Sequence, residues 1–342
     1  MSDDPHNATA QQGEAPPQPN QKCIPYTTAA FPLALNPTTE LLGGIDPAVS
    51  TAIRSNPSRF IAILPFNGGR SFTESNPNFA TEVLSLLNSF QYENCGDMQL
   101  TRAPWDNKGT VGDPEFAKPW IYILRDAPPD LRAMLVWQQT FSFRSKKGAA
   151  AFHALSFTQE RRPWGIMDIE PEPGVKHDDN SRSKVLRTIV RTLWHLPAFR
   201  NIAKNTQENL SLRLSEDEKV LLATASLRLV THSRYASHRT PILQLRGKPM
   251  FLNDKMHHKW LRIIRSARYL VEDIIRLEVK EVILACTYCK DRGHATAECP
   301  FPDFPDWRGP KPRTGTLRKG AAVLGTRSDS GQRRWWGDTG HH

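Results

Sequence analysis

Apolar positions along the chain come in short runs, and their spacing alternates between the two periods of regular structure. Arg59-Phe60-Ile61-Ala62-Ile63-Leu64 reads as a strand, closed by Pro65 and the turn-forming Asn67-Gly68-Gly69. Between Phe79 and Phe90, Val83, Leu84, Leu87 and Phe90 recur at helical spacing. A Pro/Gly/Asp-rich break at 103–119 follows, and then the alternation resumes. Residues 120–124 read as a strand, 130–138 as a helix with Leu131, Met134 and Leu135 on one side, and 140–144 as a half-buried strand. The Ala-rich stretch 148–157 reads as a helix and 165–169 as a further strand. This strand–helix alternation implies a small α/β domain over 56–180. An RNA-recognition-motif sheet is compatible with it, with Tyr122, Phe141 and Phe143 as strand aromatics. No run matches the RNP1 pattern, however, so these aromatics are expected to fill a core.

From Ser183 the period becomes helical. Leu186, Ile189, Val190, Leu193 and Trp194 form a stripe ending at Pro197, and Ser215-Glu216-Asp217-Glu218 is a capping box ahead of Leu221 and Leu222. The stretch 255–283 reads as the longest helix, with Trp260, Ile264, Ala267, Val271 and Ile274 on one side. Arg262, Arg265, Arg268 and Arg276 lie largely on other faces, either as a solvated surface or as a basic ridge leading to the segment that follows. Neither an internal repeat nor a sustained heptad is visible. The fold class expected is α+β. Residues 1–55 are read as a disordered segment, because 1–40 is rich in Pro, Gln, Asn, Thr and Ala. The α/β domain spans 56–180, a helical region 181–285, a metal-binding segment 286–300, and a basic disordered tail 301–342.

Charge sharpens the picture. The formal total is +10, divided as −5 over residues 1–100, +8 over 101–254 and +7 over 255–342. A positive excess confined to the C-terminal two-thirds suits a polyanionic partner. No apolar run approaches the roughly 18–20 residues of a membrane span, and no secretory signal is visible. A cytoplasmic or nuclear protein with no membrane partner is therefore expected. Of five cysteines, Cys23 and Cys95 stand alone and three fall within 286–299 beside a histidine. In a reducing compartment that clustering reads as metal binding rather than as disulfides.

The cluster is Cys286-Thr287-Tyr288-Cys289-Lys290-Asp291-Arg292-Gly293-His294-Ala295-Thr296-Ala297-Glu298-Cys299, with the spacing C-x2-C-x4-H-x4-C. Thiolate and imidazole are the ligands that tetrahedral zinc prefers, and one tight turn can present both sulfurs of a C-x2-C pair to the same ion. Gly293 supplies a permissive backbone just before the ligand His294. All four positions are taken by Cys286, Cys289, His294 and Cys299. The site therefore reads as one structural Zn2+, with no position left for a substrate. Three thiolates and one Zn2+ sum to −1, so attraction to phosphate has to come from surrounding residues. Tyr288, Lys290 and Arg292 are the candidates within the segment, and Arg308, Lys311 and Arg313 those in the basic stretch after it.

In ligand order and spacing the segment resembles the CCHC zinc knuckle of retroviral nucleocapsid proteins and of the Gag-like proteins of retroelements. The Gly293-His294 and Cys299-Pro300 pairs are also similar to that family. The resemblance covers about 14 of 342 residues. It departs at Lys290, where many knuckles have glycine, and at Thr287 and Ala295, where aromatics are frequent. The resemblance implies a zinc-dependent protein that binds RNA or single-stranded DNA in a packaging or chaperone role, with self-association as a further expectation. The other reading is an adaptor whose knuckle contacts protein. No P-loop, GxSxG or HExxH occurs, so no enzyme is expected. Asp168-Ile169-Glu170 and His177-Asp178-Asp179 read as solvated turns rather than as Mg2+ ligands.

Overall fold

The computed structural model describes residues 4–69, 71–104, 120–159, 162–170, 178–205, 214–232, 242–251, 253–272, 275–280 and 285–312. Two helices, α1 (Thr38–Leu41) and α2 (Pro47–Ser55), precede the first strand. α2 begins where the Asp46 carboxylate accepts the Ala48 and Val49 amides and Pro47 supplies a helical φ at the first position. The first unit then runs β1 (Phe60–Pro65), α3 (Phe72–Ser75), α4 (Phe79–Ser89), β2 (Gln99–Arg102), β3 (Tyr122–Arg125), α5 (Pro129–Gln138), β4 (Thr140–Ser145) and β5 (Gly148–Ser156). Its sheet has the order β2-β3-β1-β5-β4, every neighbour antiparallel.

The second unit runs β6 (Gly165–Glu170), α6 (Asp179–His195), α7 (Pro197–Lys204), α8 (Glu216–Ala225), β7 (Arg228–His232), β8 (Ile242–Arg246), α9 (Asp254–Ser266), β9 (Leu270–Val271), β10 (Ile275–Arg276) and β11 (Glu278–Lys280). Its main sheet has the order β11-β6-β8-β7, again antiparallel throughout. If α3, β4, α7, α8 and the β9–β10 hairpin are set aside, the two units trace one path: strand, helix, two strands, helix, strand. In both, the first strand lies between the third and the last. This is the split βαβ arrangement, occurring twice. The repeat that sequence reading missed is thus one of topology, carried by strand order and not by matching residues.

Each sheet buries one face under its own helices. In the first unit Ile61, Ile63, Leu124, Phe152 and Ala154 meet Val83, Leu86 and Leu87 of α4 and Leu131, Met134 and Leu135 of α5. Tyr122, Phe141 and Phe143 belong to this core, as expected. In the second unit Met167, Ile169, Leu243 and Leu245 meet Val185, Ile189 and Leu193 of α6 and Trp260, Leu261 and Ile264 of α9. The opposite faces are covered by chain from outside the units. Over the first sheet, Ala62, Leu64, Ile123 and Leu155 pack against Leu41, Leu42, Ile45 and Ile53, and Ala151 packs against the metal-binding segment and Phe301.

Four expectations need correction. Residues 4–55 are ordered, because Phe31, Leu35, Leu41, Leu42, Ile45 and Ile53 are buried on a face that already exists. A segment too polar to build a core can still cover one. Its backbone is bound too: the Ala10 N–H donates to the Phe31 carbonyl at 2.7 Å and the Gln11 N–H to the Trp137 carbonyl at 2.8 Å. Within the stretch 148–157, Gly148–Ser156 form strand β5 rather than a helix. Pairing with β1 on one side and β4 on the other overrides the helix preference of its alanines. Region 181–285 is mixed rather than helical. The helix read over 255–283 ends at Ser266; Val271 then pairs in β9, and β11 closes the edge of the sheet against β6. Finally, residues 301–312 are not a free tail, since Phe301 is buried and Phe304 and Trp307 pack beside it. Among the described residues no helix is long and apolar enough to cross a membrane.

Candidate metal centre

The segment after β11 begins with a bridge between Ala285 and Arg292 that turns the chain back on itself. Inside this turn the Cys286 N–H donates to the Asp291 carbonyl at 3.0 Å and the Lys290 N–H to the Cys286 carbonyl at 2.9 Å. Lys290 carries the turn with φ of 65°. The Cys289 amide points at the Cys286 sulfur at 3.4 Å, as an amide does toward a thiolate. A short 3-10 turn, Thr296–Glu298, then delivers Cys299. The Thr296 hydroxyl ties the two limbs together, accepting the Thr287 N–H at 2.8 Å.

These turns bring Cys286 Sγ, Cys289 Sγ, a ring nitrogen of His294 and Cys299 Sγ within 4.8 Å of one another. Cys289 Sγ lies 3.3 Å from His294 Nε2. Tetrahedral zinc with bonds of about 2.0–2.3 Å requires ligand atoms about 3.5–3.8 Å apart, so the set fits with small adjustments. The four groups form one structural zinc site of Cys3His type. Its electrostatics suit a cation. Burial opposes ionisation of Cys286, yet hydrogen bonds from the Cys289 and Cys299 thiols and the charge of His294 hold it well below the usual thiol range. Burial and the neighbouring Cys286 sulfur push Cys289 up, and burial pushes Cys299 up. Burial works against the proton on His294, but Cys286 and Asp291 raise its pKa. A divalent cation replaces this proton sharing with direct sulfur and nitrogen bonds.

The surroundings of the site were not legible in the sequence. Asp291 is buried, and its Oδ1 accepts the Leu35 amide at 3.0 Å and the Arg292 amide at 2.8 Å. Its Oδ2 sits 4.0 Å from His294 Nδ1, on the side of the ring away from the sulfurs. That is where a carboxylate orients a metal-bound imidazole. One side of the segment meets the first sheet, where Cys286, Tyr288 and Cys289 pack with Phe31, Phe66, Ala151 and Phe301. The other side meets the second sheet. There the Arg246 guanidinium donates to the Gly293 carbonyl at 2.7 Å, and His232 Nδ1 lies 3.1 Å from the Glu298 carboxylate. Ala295 packs on Ile242. Gly293 has φ of +109°, and a Cβ there would lie 2.8 Å from the His6 ring, so glycine is required twice over. The metal segment thus fills the space between the open faces of the two sheets.

The residues expected to touch nucleic acid lie elsewhere than expected. Tyr288 is 1% exposed; its ring stands edge-on to Phe66 at 4.9 Å and its hydroxyl donates to the Pro310 carbonyl. Lys290 is 2% exposed, and its ammonium donates to the Thr287 carbonyl at 2.5 Å. Neither offers a surface to a base or phosphate in this arrangement. Arg292 is paired with Glu40. The Arg308 backbone N–H donates to Ser142 Oγ at 3.2 Å, while Lys311 is exposed beside a cavity of about 250 Å³ also lined by Phe72, Asn76, Phe79 and Glu82. Arg313 lies outside the described residues. Asp168 accepts from Gln244 at 3.1 Å, and Asp178 caps α6 through the Ser181 amide. Comparison with protein-family models, with curated proteins and with solved structures found no match to this chain.

Proposed function

We propose that this is a zinc-dependent nucleic-acid-binding protein without catalytic activity. It would take RNA or single-stranded DNA in a packaging or annealing role of the Gag-like kind, within a reducing compartment. The observation that carries the reading is the Cys3His site in a chain of net charge +10. Because Tyr288 and Lys290 face inward, zinc serves here as a clasp that fixes the two split βαβ units. Phosphate is then met by cations outside the knuckle.

A titration of a 30-nucleotide RNA at 50 and 200 mM salt tests it. Phosphate contacts release counterions, so affinity falls steeply over that interval, by about 10³-fold for some six contacts. A flat response would remove the nucleic-acid reading. Cys289→Ser deletes a zinc ligand and is expected to abolish both stoichiometric zinc and RNA binding. The second reading, a protein adaptor, is favoured by one observation: Leu221 and Leu222 on α8 are 55% and 49% exposed. It predicts salt-insensitive, weak RNA binding that Leu221→Ser and Leu222→Ser leave unchanged, with a protein partner lost in the same variants.

A further inference from the structure

The helical layer of the second unit carries charge that the described residues do not neutralise. α6 and α9 pack on one face of the β11-β6-β8-β7 sheet, through Val185, Ile189 and Leu193 and through Trp260, Leu261 and Ile264. Their outward sides therefore look the same way. Exposed on α6 are Arg187 and Arg191, and on α9 Lys255, Lys259 and Arg262, with Arg268 just beyond its end. None of these six makes an ion pair with a described residue.

The described acidic groups nearby are already engaged. Asp179 pairs with Arg182, Glu272 with Lys184 at 2.8 Å, and Asp254 with Arg162 at 2.5 Å. Glu216 and Asp217 pair with Arg200 and Lys204 of α7, and Glu218 is held in the capping box of Ser215. Glu170 and Glu278 pair with Lys280. Among the described residues, what remains outward is a one-signed surface.

We infer that this outward face of α6 and α9 is the surface that takes the phosphate backbone of a single-stranded nucleic acid, an assignment that rests on the function proposed above. On α9, Lys255, Lys259 and Arg262 stand at i, i+4 and i+7, so they share one side of the helix and span about 10 Å. That row lets a flexible phosphate chain run along the cations and meet more than one of them at a time. A membrane surface is the competing polyanion. A helix lying on lipid needs large apolar side chains beside its cations. Among the described residues the exposed large hydrophobics are Leu221 and Leu222, both on α8 and neither on α6 or α9. The site is thus polar and positive without an apolar anchor, which fits a solvated phosphate chain.

The test uses the zinc-loaded full chain and a fluorescein-labelled 30-nucleotide oligouridine, followed by anisotropy from 50 to 300 mM salt. One variant combines Lys255→Gln, Lys259→Gln and Arg262→Gln. A control combines Arg144→Gln, Lys146→Gln and Lys147→Gln at the β4–β5 turn of the first unit, which removes equal charge elsewhere. The α9 variant is expected to bind at least about tenfold more weakly at 100 mM salt, with a log–log salt slope shallower by about two, each lost contact contributing about 0.7. The control should stay within about twofold of wild type. Zinc content and thermal melting should match wild type in both, because all six side chains are surface groups. If wild type binds RNA and the α9 variant binds as tightly, this surface is refuted while the nucleic-acid reading stands. A larger loss in the control than in the α9 variant refutes it in the same way. If wild type does not bind RNA, both fall. Tighter capture by phosphatidylserine vesicles than by RNA would also overturn the assignment.

Discussion

Among single residues, Asp291 shows how the knuckle is built into its surroundings. A buried carboxylate is costly unless its oxygens are satisfied, and burial does raise its pKa. Here one oxygen holds two backbone amides, from Leu35 and Arg292, and the other faces the free side of His294. Asp291→Asn keeps the shape but replaces an anion by a neutral amide on the far side of the imidazole. Zinc affinity in a chelator competition should fall about 10–100-fold, with the fold retained when zinc is saturating. An unchanged affinity would mean that Asp291 only anchors the backbone at Leu35. A quite separate residue sets an acid limit. His257, half-buried against Trp260, has its pKa lowered to about 4 by burial, with Arg162, His258 and Arg265 adding repulsion. The folded state keeps His257 neutral, whereas the unfolded chain takes up a proton near 6.5. The stabilisation is therefore complete above about pH 6.5 and is lost as pH falls toward 4. His257→Phe removes the titration, so its melting temperature should fall less than that of wild type between pH 6.5 and 5. Parallel curves would refute this account.

At the level of elements, the aromatic group under the metal segment joins parts of the chain that are far apart in sequence. Phe31 comes from the N-terminal covering, Phe66 follows β1, and Phe301 and Trp307 follow the knuckle. Their ring centroids lie 4.9–6.2 Å apart together with Tyr288 and Phe304. Phe301→Ala would leave a cavity among these rings and should cost about 3–5 kcal/mol in unfolding free energy, read from a denaturant titration of the zinc-loaded protein. A loss below about 1 kcal/mol would show that the segment after Cys299 does not hold the knuckle in place. The same region shows what a sequence discloses. The four zinc ligands were legible because their chemistry is local: fourteen residues contain the entire ligand set. Most strands and helices were legible where their period was regular, as in β1, α4, α5 and α6. The covering role of residues 4–55 was not, because a few apolar residues such as Phe31 and Ile53 are meaningful only against a sheet formed elsewhere. β5 was missed because Gly148 to Ser156 spells helix locally and becomes a strand only by pairing on both edges. The inward turn of Lys290 was missed because a lysine beside a zinc ligand ordinarily faces solvent.

For the molecule as a whole, the decisive feature is that the metal segment is not a separate bead. It lies between two sheets, touching the first through Cys286, Tyr288 and Cys289 and the second through Gly293, Ala295 and Glu298. The polar side of the second sheet is organised around that contact. Gln244 donates to Asp168, Arg246 donates to Gln244 at 2.7 Å, and Arg246 also lies 3.1 Å from His232 Nε2. Burial and the Arg228 charge lower the Arg246 pKa to about 10, which still leaves it charged at neutral pH. A buried guanidinium that loses its acceptors is strongly disfavoured, so the network and the knuckle depend on each other. A zinc-ordered peptide has no core of its own, hence chelation should disorder it and uncover both sheet faces at once. EDTA treatment is expected to lower the melting temperature by at least about 5 °C and to induce binding of a hydrophobic dye. A knuckle tethered outside the folded units would instead leave melting and dye binding unchanged, and that result would sink the clasp. Linkage supplies the reciprocal test. If zinc stabilises the junction of the two units, weakening the junction must weaken zinc. Arg246→Met, which touches no ligand, should reduce apparent zinc affinity measured at fixed pH and raise the dye signal at limiting zinc, with excess zinc restoring both to wild-type values.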